Sequence, residues 1–283
     1  MPDENHDPEF WELRSGAWAR HADAMEGFAG QFGQPALELL EPSPGQHLAD
    51  VGCGPGLTTI ELGERVGADG TATGVDVAEG MVAAARARAR AVGATNVHFS
   101  VGDPGTGPLG SFDAIFSRFG IMFFDHPATA LSNLARSIRP GGRFVATVWA
   151  ELDANPWMFV PTLFGAGPLN ADVALPGRDE PGPFRMADPE RTSSMLGDAG
   201  FVDVDITRHE HEWSIERSNA GASFAELLAV GPLGAAWARA DQRARIATVN
   251  AVRDGCADFQ HGNSFRLPAA AHVIAATVPG TGS

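Results

Sequence analysis

Between residues 46 and 150 the chain alternates five short apolar runs with segments of helical spacing. The runs are QHLADV, TATGVDV, NVHFSVGD, FDAIFSRFG and RFVATVWA. Strands separated by crossover segments of this length pair in parallel, because a tight turn joins only antiparallel neighbours. A parallel sheet carries helices on both faces. The pattern therefore predicts an α/β fold with a doubly wound, mostly parallel sheet.

The flanking segments predict how this sheet is extended and covered. Residues 10–32 read as one or two amphipathic helices, and a separate short helix is expected to begin at Pro35. The sequence predicts two further strands, FVDVDITRHEHEW and AHVIAATV, which bring the sheet to seven. The expected division is an N-terminal helical lid over 1–32, a core over 33–150, and completion of the sheet over 151–283. Two insertions, 151–185 and 216–262, are expected to form a helical cap over a substrate.

Charge and composition exclude several classes of function. The formal net charge is −15, so the chain should repel nucleic acid. Tyrosine is absent and every basic side chain of the Lys+Arg total is arginine. A general base must therefore be His, Asp, Glu, Cys or water.

The two cysteines, Cys53 and Cys256, do not make a disulfide framework. No apolar run approaches the roughly 20 residues of a membrane span, and the acidic start MPDENHDPEF lacks the features of a secretory signal. We therefore expect a cytoplasmic protein, either monomer or homodimer.

The loop DVGCGPG, residues 50–56, indicates the ligand. Its glycines have the spacing GxGxG, and the sixth position of a dinucleotide loop is leucine here; a P-loop would require a lysine. Asp50 disfavours a pyrophosphate and suits a cationic ammonium group. Asp76 ends the second predicted strand, 20 residues after Gly56, where a carboxylate accepts ribose hydroxyls. The predicted ligand is a nucleoside that carries an amino acid.

At these motifs the chain resembles the class I S-adenosylmethionine-dependent methyltransferases, of the small-molecule, UbiE-like type. DVGCGPG is similar to their glycine loop, GVDVAEGM to their ribose-binding acid and the segment after it, and VGDP to the third strand end, where an aspartate meets adenine. FDAIFSRFGIMFF and IRPGGRF resemble the fourth strand and the turn into the fifth. The resemblance implies a Rossmann-like methyltransferase sheet and S-adenosyl-L-methionine as cofactor, with S-adenosyl-L-homocysteine as product. Pro104 stands where the family has a small residue, so Asp103 is expected to read the adenine alone.

The resemblance also assigns residues to a site. The expected cofactor-binding residues are Trp18, Asp50, Gly52, Cys53, Gly54, Gly56, Thr58, Asp76, Val77, Met81, Gly102, Asp103, Pro104 and Ser117. The expected substrate residues are Arg118, Phe119, Met122, Trp149, Asn155 and Trp157. Such a lining suits a largely apolar acceptor of polyketide, terpenoid, quinone or lipid type.

His21 and His126 are the candidate general bases, for an acceptor hydroxyl. The segment around Trp18 and His21 either closes over the cofactor or packs on the sheet, and Arg118 is either a substrate clamp or an ion-pair partner. No metal is expected: the HEHE segment at 209–212 reads as a solvated strand face.

Two other functions remain open at this point. One is a nucleotide-linked oxidoreductase on a similar sheet, which the loop spacing and the missing Tyr–Lys pair disfavour. The other is a methyltransferase fold that binds the cofactor but catalyses a different reaction, such as a cyclisation.

Overall fold

One central sheet organises the protein in the computed structural model, which describes residues 8–173, 175, 177 and 179–281. The strands run in the order β3-β2-β1-β4-β5-β8-β6, and the short β7 pairs with β8. The strands are β1 (His47–Val51), β2 (Thr71–Asp76), β3 (Val97–Val101), β4 (Phe112–Arg118), β5 (Ile138–Trp149), β6 (Val202–Glu216), β7 (Gln260–His261) and β8 (Ser264–Thr277). This confirms the predicted doubly wound, mostly parallel sheet of seven strands, to which the two-residue β7 adds a short eighth.

The described helices cover both faces of the sheet and extend over its carboxyl edge. They are α1 (Pro8–Leu40), α2 (Leu57–Val66), α3 (Glu79–Val92), α4 (Pro127–Ser137), α5 (Pro156–Ala166), α6 (Pro189–Asp198), α7 (Ala220–Val230), α8 (Gly234–Arg239) and α9 (Gln242–Gly255). The end of α1 packs with α2 and α3 in one apolar core. The other core includes α4 and α6 together with α5 and α7.

The last strand reverses direction. β8 is antiparallel to both β5 and β6, so that Trp149 pairs with Ala271 and His211 pairs with Ala269. Residues 264–270 of β8 continue past the end of β5 and pair with β6. The projecting ends of β6 and β8, with α5, α7 and α9, form a wall beside the carboxyl edge of the sheet. Ligands collect at that edge in open α/β sheets.

The N-terminal segment is a single helix rather than the two or three that the sequence suggested. α1 spans 33 residues, and Pro35 lies inside it instead of starting a new helix. A proline in a helix interior removes one helical hydrogen bond. Here packing compensates: Ala36, Leu37 and Leu40 are buried in the core. The predicted lid boundary at residue 32 therefore falls inside a continuous helix, and residues 1–7 lie outside the described ranges.

The helix between β4 and β5 ends before the Pro140-Gly141-Gly142 sequence. α4 ends at Ser137, and Ile138 already pairs with Phe112 in the sheet. The register then shifts before Ala114 pairs with Arg143. Arg139 precedes Pro140, and a residue in that position avoids the helical conformation, so the helix could not have continued through the proline.

No helix in the described ranges is both long and apolar enough to cross a bilayer.

Candidate functional site

The three glycines of the loop after β1 have different roles. A Cβ on Gly52 would lie 2.8 Å from Gly120 Cα, and a Cβ on Gly56 would lie 2.8 Å from the Ala85 side chain. These two glycines are required by close packing. Gly54 also has positive φ, 50°, but a Cβ there would meet nothing within 4 Å. Its backbone borders open space, which is what a ligand-binding position requires.

Asp76 joins the ends of β1 and β2. Its Oδ2 accepts a hydrogen bond from the Gly54 N–H at 2.9 Å, and its Oδ1 accepts one from the Ala78 N–H at 3.0 Å. Burial raises the pKa of the carboxyl group, while these backbone donors and that of Val77 oppose the rise. The geometry places a carboxylate directly beside the open space at Gly54.

Asp50 lies deeper, at the end of β1. It is 1% exposed, and its Oδ2 accepts a hydrogen bond from Thr59 Oγ1 at 2.7 Å. Burial raises its pKa to about 6, although the Thr59 bond and the Arg118 charge oppose that rise. A buried carboxylate without a full ion-pair partner favours an incoming cation. Thr58, the neighbour of Thr59, is buried in α2.

The third strand ends close to Asp76. The Gly102 N–H donates to the Asp76 carbonyl at 3.0 Å, and Asp103 Oδ1 accepts from the Gly105 N–H at 2.7 Å. Pro104 is buried, and its carbonyl accepts a hydrogen bond from the Asn133 amide. Met81 is 4% exposed in the first turns of α3. Gly102 is therefore held beside Asp76, and Asp103 follows it directly in the loop after β3.

The first half of α1 spans this edge. At its start, Glu12 Oε2 accepts a hydrogen bond from the Gly80 N–H at 2.9 Å, at the beginning of α3. Farther along, Asp23 pairs with Arg88 at 2.8 Å. We call residues 8–26 of α1 the lid segment. These contacts, with that of Glu26 to Arg118 at the end of β4, place the lid segment along the carboxyl edge of the sheet.

Arg118 is an ion-pair partner, the second of the two roles considered for it. Its guanidinium binds Glu26 with two hydrogen bonds, of 2.8 Å and 2.5 Å. This pair attaches the lid segment to the end of β4. Glu26 was missed from the sequence because nothing in its local pattern indicates a partner 92 residues away.

Trp18 lies on the lid segment, and the hydrogen bonding of its indole nitrogen is unusual. Nε1 is buried and has no hydrogen-bond partner among the described residues. A buried donor without an acceptor is costly unless a ligand supplies one. Together with Asp50, Asp76 and the open space at Gly54, it fits a zwitterionic ligand that brings both an acceptor and an ammonium group.

Aromatic side chains fill the region beside the loop that follows β1. Six of them form what we call the aromatic cluster: Phe28, Phe32, Phe119, Trp149, Trp157 and Trp213. Their neighbouring ring centroids are 3.8 to 6.2 Å apart. Three predicted substrate residues, Phe119, Trp149 and Trp157, are therefore brought together. Phe28, Phe32 and Trp213 were not predicted there, because they come from α1 and β6.

Two predicted substrate residues, Asn155 and Met122, are buried among other residues of the protein. Asn155 is fully buried, donates to the Ala270 carbonyl and accepts from the Ala270 N–H and from Trp157 Nε1. It fixes the chain after β5 to β8. Met122 is 1% exposed within the main core. The sequence positions alone did not distinguish lining residues from core residues.

Ser117 and Cys53 support the loop. Ser117 is buried, and its hydroxyl donates to the Val51 carbonyl at 2.7 Å. The Cys53 N–H donates to the Val75 carbonyl at 3.1 Å. Burial and the nearby Asp50 raise the pKa of the Cys53 thiol well above its usual value, which disfavours the reactive thiolate.

The two candidate bases differ in position. His21 lies on the lid segment, between Trp18 and Glu26, and is partly buried. His126 is exposed at the start of α4, where its carbonyl accepts from the Ala130 N–H. His21 is therefore the less exposed of the two candidates.

The HEHE segment does not form the uniformly solvated face that was expected. The ring of His211 lies 4.8 Å from the ring of Phe32, and burial lowers its pKa. A shallow cavity of about 640 Å³ lies at this edge, beside Arg208 and Glu210. No group of three or more potential ligands for a metal occurs within the part of the chain that the structure describes.

Comparison with known proteins identifies the family. Residues 48–142 match the model of the methyltransferase domain. The chain is 30% identical over 192 residues to the ubiquinone/menaquinone biosynthesis C-methyltransferase UbiE of Cereibacter sphaeroides, which covers 63% of this chain and 76% of that protein. The chain belongs to the class I S-adenosylmethionine-dependent methyltransferases.

Two further similarities concern a second relative in sequence and the fold. Nocamycin O-methyltransferase of Saccharothrix syringae is 42% identical over 114 residues, which make up 39% of this chain and 40% of that protein. The YcgJ protein of Bacillus subtilis has the same fold, with a TM-score of 0.55 at 19% identity, over 88% of this chain and 97% of that one. The family resemblance seen in the sequence is therefore confirmed.

Proposed function

We propose that this methyltransferase moves a methyl group from S-adenosyl-L-methionine to an O, C or N nucleophile of a largely apolar small molecule. The observation that carries the proposal is the open space at Gly54, bordered by Asp76 and lying beside Asp50. Relatives named as methyltransferases of small molecules support it, and they do not favour the alternative of a cyclisation.

Each part of the site fits one part of the cofactor. Asp76 would accept the ribose hydroxyls, and Asp103 with Met81 would hold the adenine. Asp50 would attract the ammonium group of the methionine end, and Trp18 Nε1 would donate to its carboxylate. When bound, the cofactor supplies a methyl group on a sulfonium, an electrophile that needs no further activation.

The protein's own task is then alignment and the exclusion of water. The lid segment closes the site through the Glu26–Arg118 and Glu12–Gly80 contacts. Orientation in a closed site can supply on the order of 7–11 kcal/mol. A hydroxyl acceptor also has to lose its proton, and His21 is the proposed base for that case, with His126 as the second candidate.

The experiment is calorimetric titration with S-adenosyl-L-homocysteine, followed by a radiolabelled methyl assay on a panel of apolar metabolites. We expect Asp76→Ala to weaken binding by about 1.5–3 kcal/mol, because a charge-assisted hydrogen bond is lost. Gly54→Ala should weaken it as well, since a Cβ would occupy the ligand's space. Asp69→Ala, an exposed acid in the turn before β2, is the matched control. Unchanged affinity in Asp76→Ala would reject the assignment.

A further inference from the structure

Phe119 has a backbone conformation that is unusual for an aromatic residue. Its φ is 59°, in the left-handed region, where bulky residues are rarely found. The backbone is fixed on both sides. The Phe119 N–H donates to the Thr147 carbonyl at 2.8 Å, and the next residue, Gly120, packs directly against Gly52. Glycine would adopt this conformation without strain, so the phenyl ring is retained at an energetic cost.

The ring of Phe119 covers a face of Trp149. The two centroids are 3.8 Å apart and the planes are inclined by only 10°. Trp149 is 5% exposed, whereas Phe119 is partly exposed. The face of a buried indole is thus covered by one side chain that belongs to a loop, at the carboxyl edge of the sheet.

The same loop adjoins the proposed cofactor site. Gly120, which follows Phe119, contacts Gly52 of the glycine loop, and Arg118, which precedes it, carries the pair with Glu26. A molecule seated on Trp149 would therefore lie next to the proposed methyl donor. Around that seat, Phe28, Phe32 and Trp157 supply further rings.

We propose that the face of Trp149 covered by Phe119 is the seat of the methyl acceptor, and that the acceptor is a planar aromatic molecule. Phe119 occupies this seat when no acceptor is bound and leaves it when the acceptor enters. A planar ring replaces the phenyl group at the same stacking distance, whereas a puckered saturated ring is too thick to do so. Because the backbone of Phe119 is fixed on both sides, the phenyl ring leaves the seat by rotation of the side chain alone. The inference rests on the proposed function and specifies its acceptor.

The test compares two probes by calorimetry on the full chain: 2-naphthol, which is planar, and decahydro-2-naphthol, its saturated counterpart. We expect the wild type to prefer 2-naphthol by about tenfold, the range of a stacking contact. Trp149→Leu keeps apolar bulk but removes the flat face, so this preference should fall to near one. Phe119→Gly removes the competing ring and should tighten 2-naphthol binding by about tenfold, with a smaller effect on the saturated probe.

Two further variants keep the test decisive. Phe119→Asn also removes the ring and tolerates the left-handed backbone, so it replaces Phe119→Gly if that protein does not fold. Phe164→Leu removes a half-exposed ring of α5 and should change neither affinity. The proposal is overturned if the wild type does not prefer 2-naphthol, if Trp149→Leu keeps the preference, or if loss of the Phe119 ring leaves 2-naphthol binding unchanged or weaker.

Titration of the same samples with S-adenosyl-L-homocysteine separates this inference from the proposed function. If the nucleoside binds and the probe pattern is absent, the aromatic seat is wrong and the proposed function stands. If the probe pattern is present and the nucleoside does not bind, the seat stands and the proposed function is wrong.

Discussion

Asp50 shows at the scale of one residue how the site trades stability for binding. Its carboxylate is enclosed at the end of β1, with Thr59 as a hydrogen-bond donor and the Arg118 charge nearby. Arg118 is itself neutralised by Glu26. Burial of the carboxyl group is therefore only partly compensated within the protein, and a cationic ligand would complete the compensation.

The raised pKa of Asp50 determines how the free energy of unfolding changes with pH. The unfolded chain releases this proton near pH 3.8 but the folded protein near pH 6, so the free energy of unfolding falls as pH rises through that window and stays lower above it. Asp50→Asn keeps the acceptor for Thr59 and removes the charge. We expect it to raise the free energy of unfolding at pH 7 by up to about 3 kcal/mol and to weaken binding of S-adenosyl-L-homocysteine. Urea unfolding at several pH values checks this; a variant no more stable than the wild type at pH 7 contradicts it.

His21 is the residue on which the proposed base catalysis depends. With a hydroxyl acceptor, His21→Ala should lower the rate at least about tenfold. A general base usually contributes a factor of roughly 10²–10⁴ to the rate, so this is a lower limit. Cofactor affinity should change little, because the imidazole would act on the acceptor. His126→Ala, at the exposed start of α4, provides the comparison. The measurement is the initial rate of methyl transfer to a hydroxyl acceptor. If His21→Ala has the wild-type rate, His21 is not the base.

Local sequence predicted the residues of the loops but not their long-range partners. Asp50, Gly54 and Asp76 were predicted because their spacing follows the strand ends. The ion pair of Glu26 and the buried amide network of Asn155 were not predicted, since both depend on segments that are distant in sequence. Gly52 and Gly56 have the expected conformation for a different reason, which is close packing.

At the scale of elements, α1 has two halves with different surroundings. Its end lies in the core beside α2, while the lid segment is attached by polar contacts at Glu12, Asp23 and Glu26. The sequence predicted helix here but not one continuous element. Pro35 is an ordinary signal for a helix start, and tertiary packing overrode it.

Gly27 lies between the two halves of α1, and a Cβ there would meet nothing within 4 Å. Glycine in a helix interior costs up to about 1 kcal/mol relative to alanine. Gly27→Ala should therefore raise the free energy of unfolding by up to about 1 kcal/mol and slow release of S-adenosyl-L-homocysteine, measured by stopped-flow tryptophan fluorescence.

Gly197→Ala is the matched control for that prediction. Gly197 is an exposed glycine of α6 whose Cβ would also meet nothing within 4 Å. It should stabilise the protein to a similar degree without changing the release rate. Equal slowing in both variants would show that the effect on release is not specific to the lid segment.

For the whole molecule, alternation of strands and helices was sufficient to predict the sheet, because few topologies satisfy it. The antiparallel β8 was predicted as a strand, but its direction and its long extension past β5 were not. Those properties depend on pairing with β5 and β6. β5 is separated from β8 by α5 to α9, and β6 is separated from it by α7 to α9. The aromatic cluster depends on the same extension, since Trp213 comes from the projecting end of β6.

The overall charge of −15 gives a prediction for the entire surface. Duplex DNA should not be retarded by the protein in a gel at about 0.05 M salt, where non-specific attraction to phosphates is strong. Many arginines are already paired, as Arg139, Arg143 and Arg191 are with carboxylates. A retarded band that disappears at higher salt would reveal a basic surface that the total charge conceals.

The length of α1 also has a consequence for timing. One continuous helix lies over the strand ends at Glu12 and enters the aromatic cluster at Phe28 and Phe32. A donor and an acceptor bound as we propose would therefore be enclosed by the same element, and neither would be exchanged while it stays in place. Each catalytic cycle would then require one opening event that serves both ligands. The steady-state turnover rate would then be set by how often the lid segment opens, and the two products would leave during the same opening.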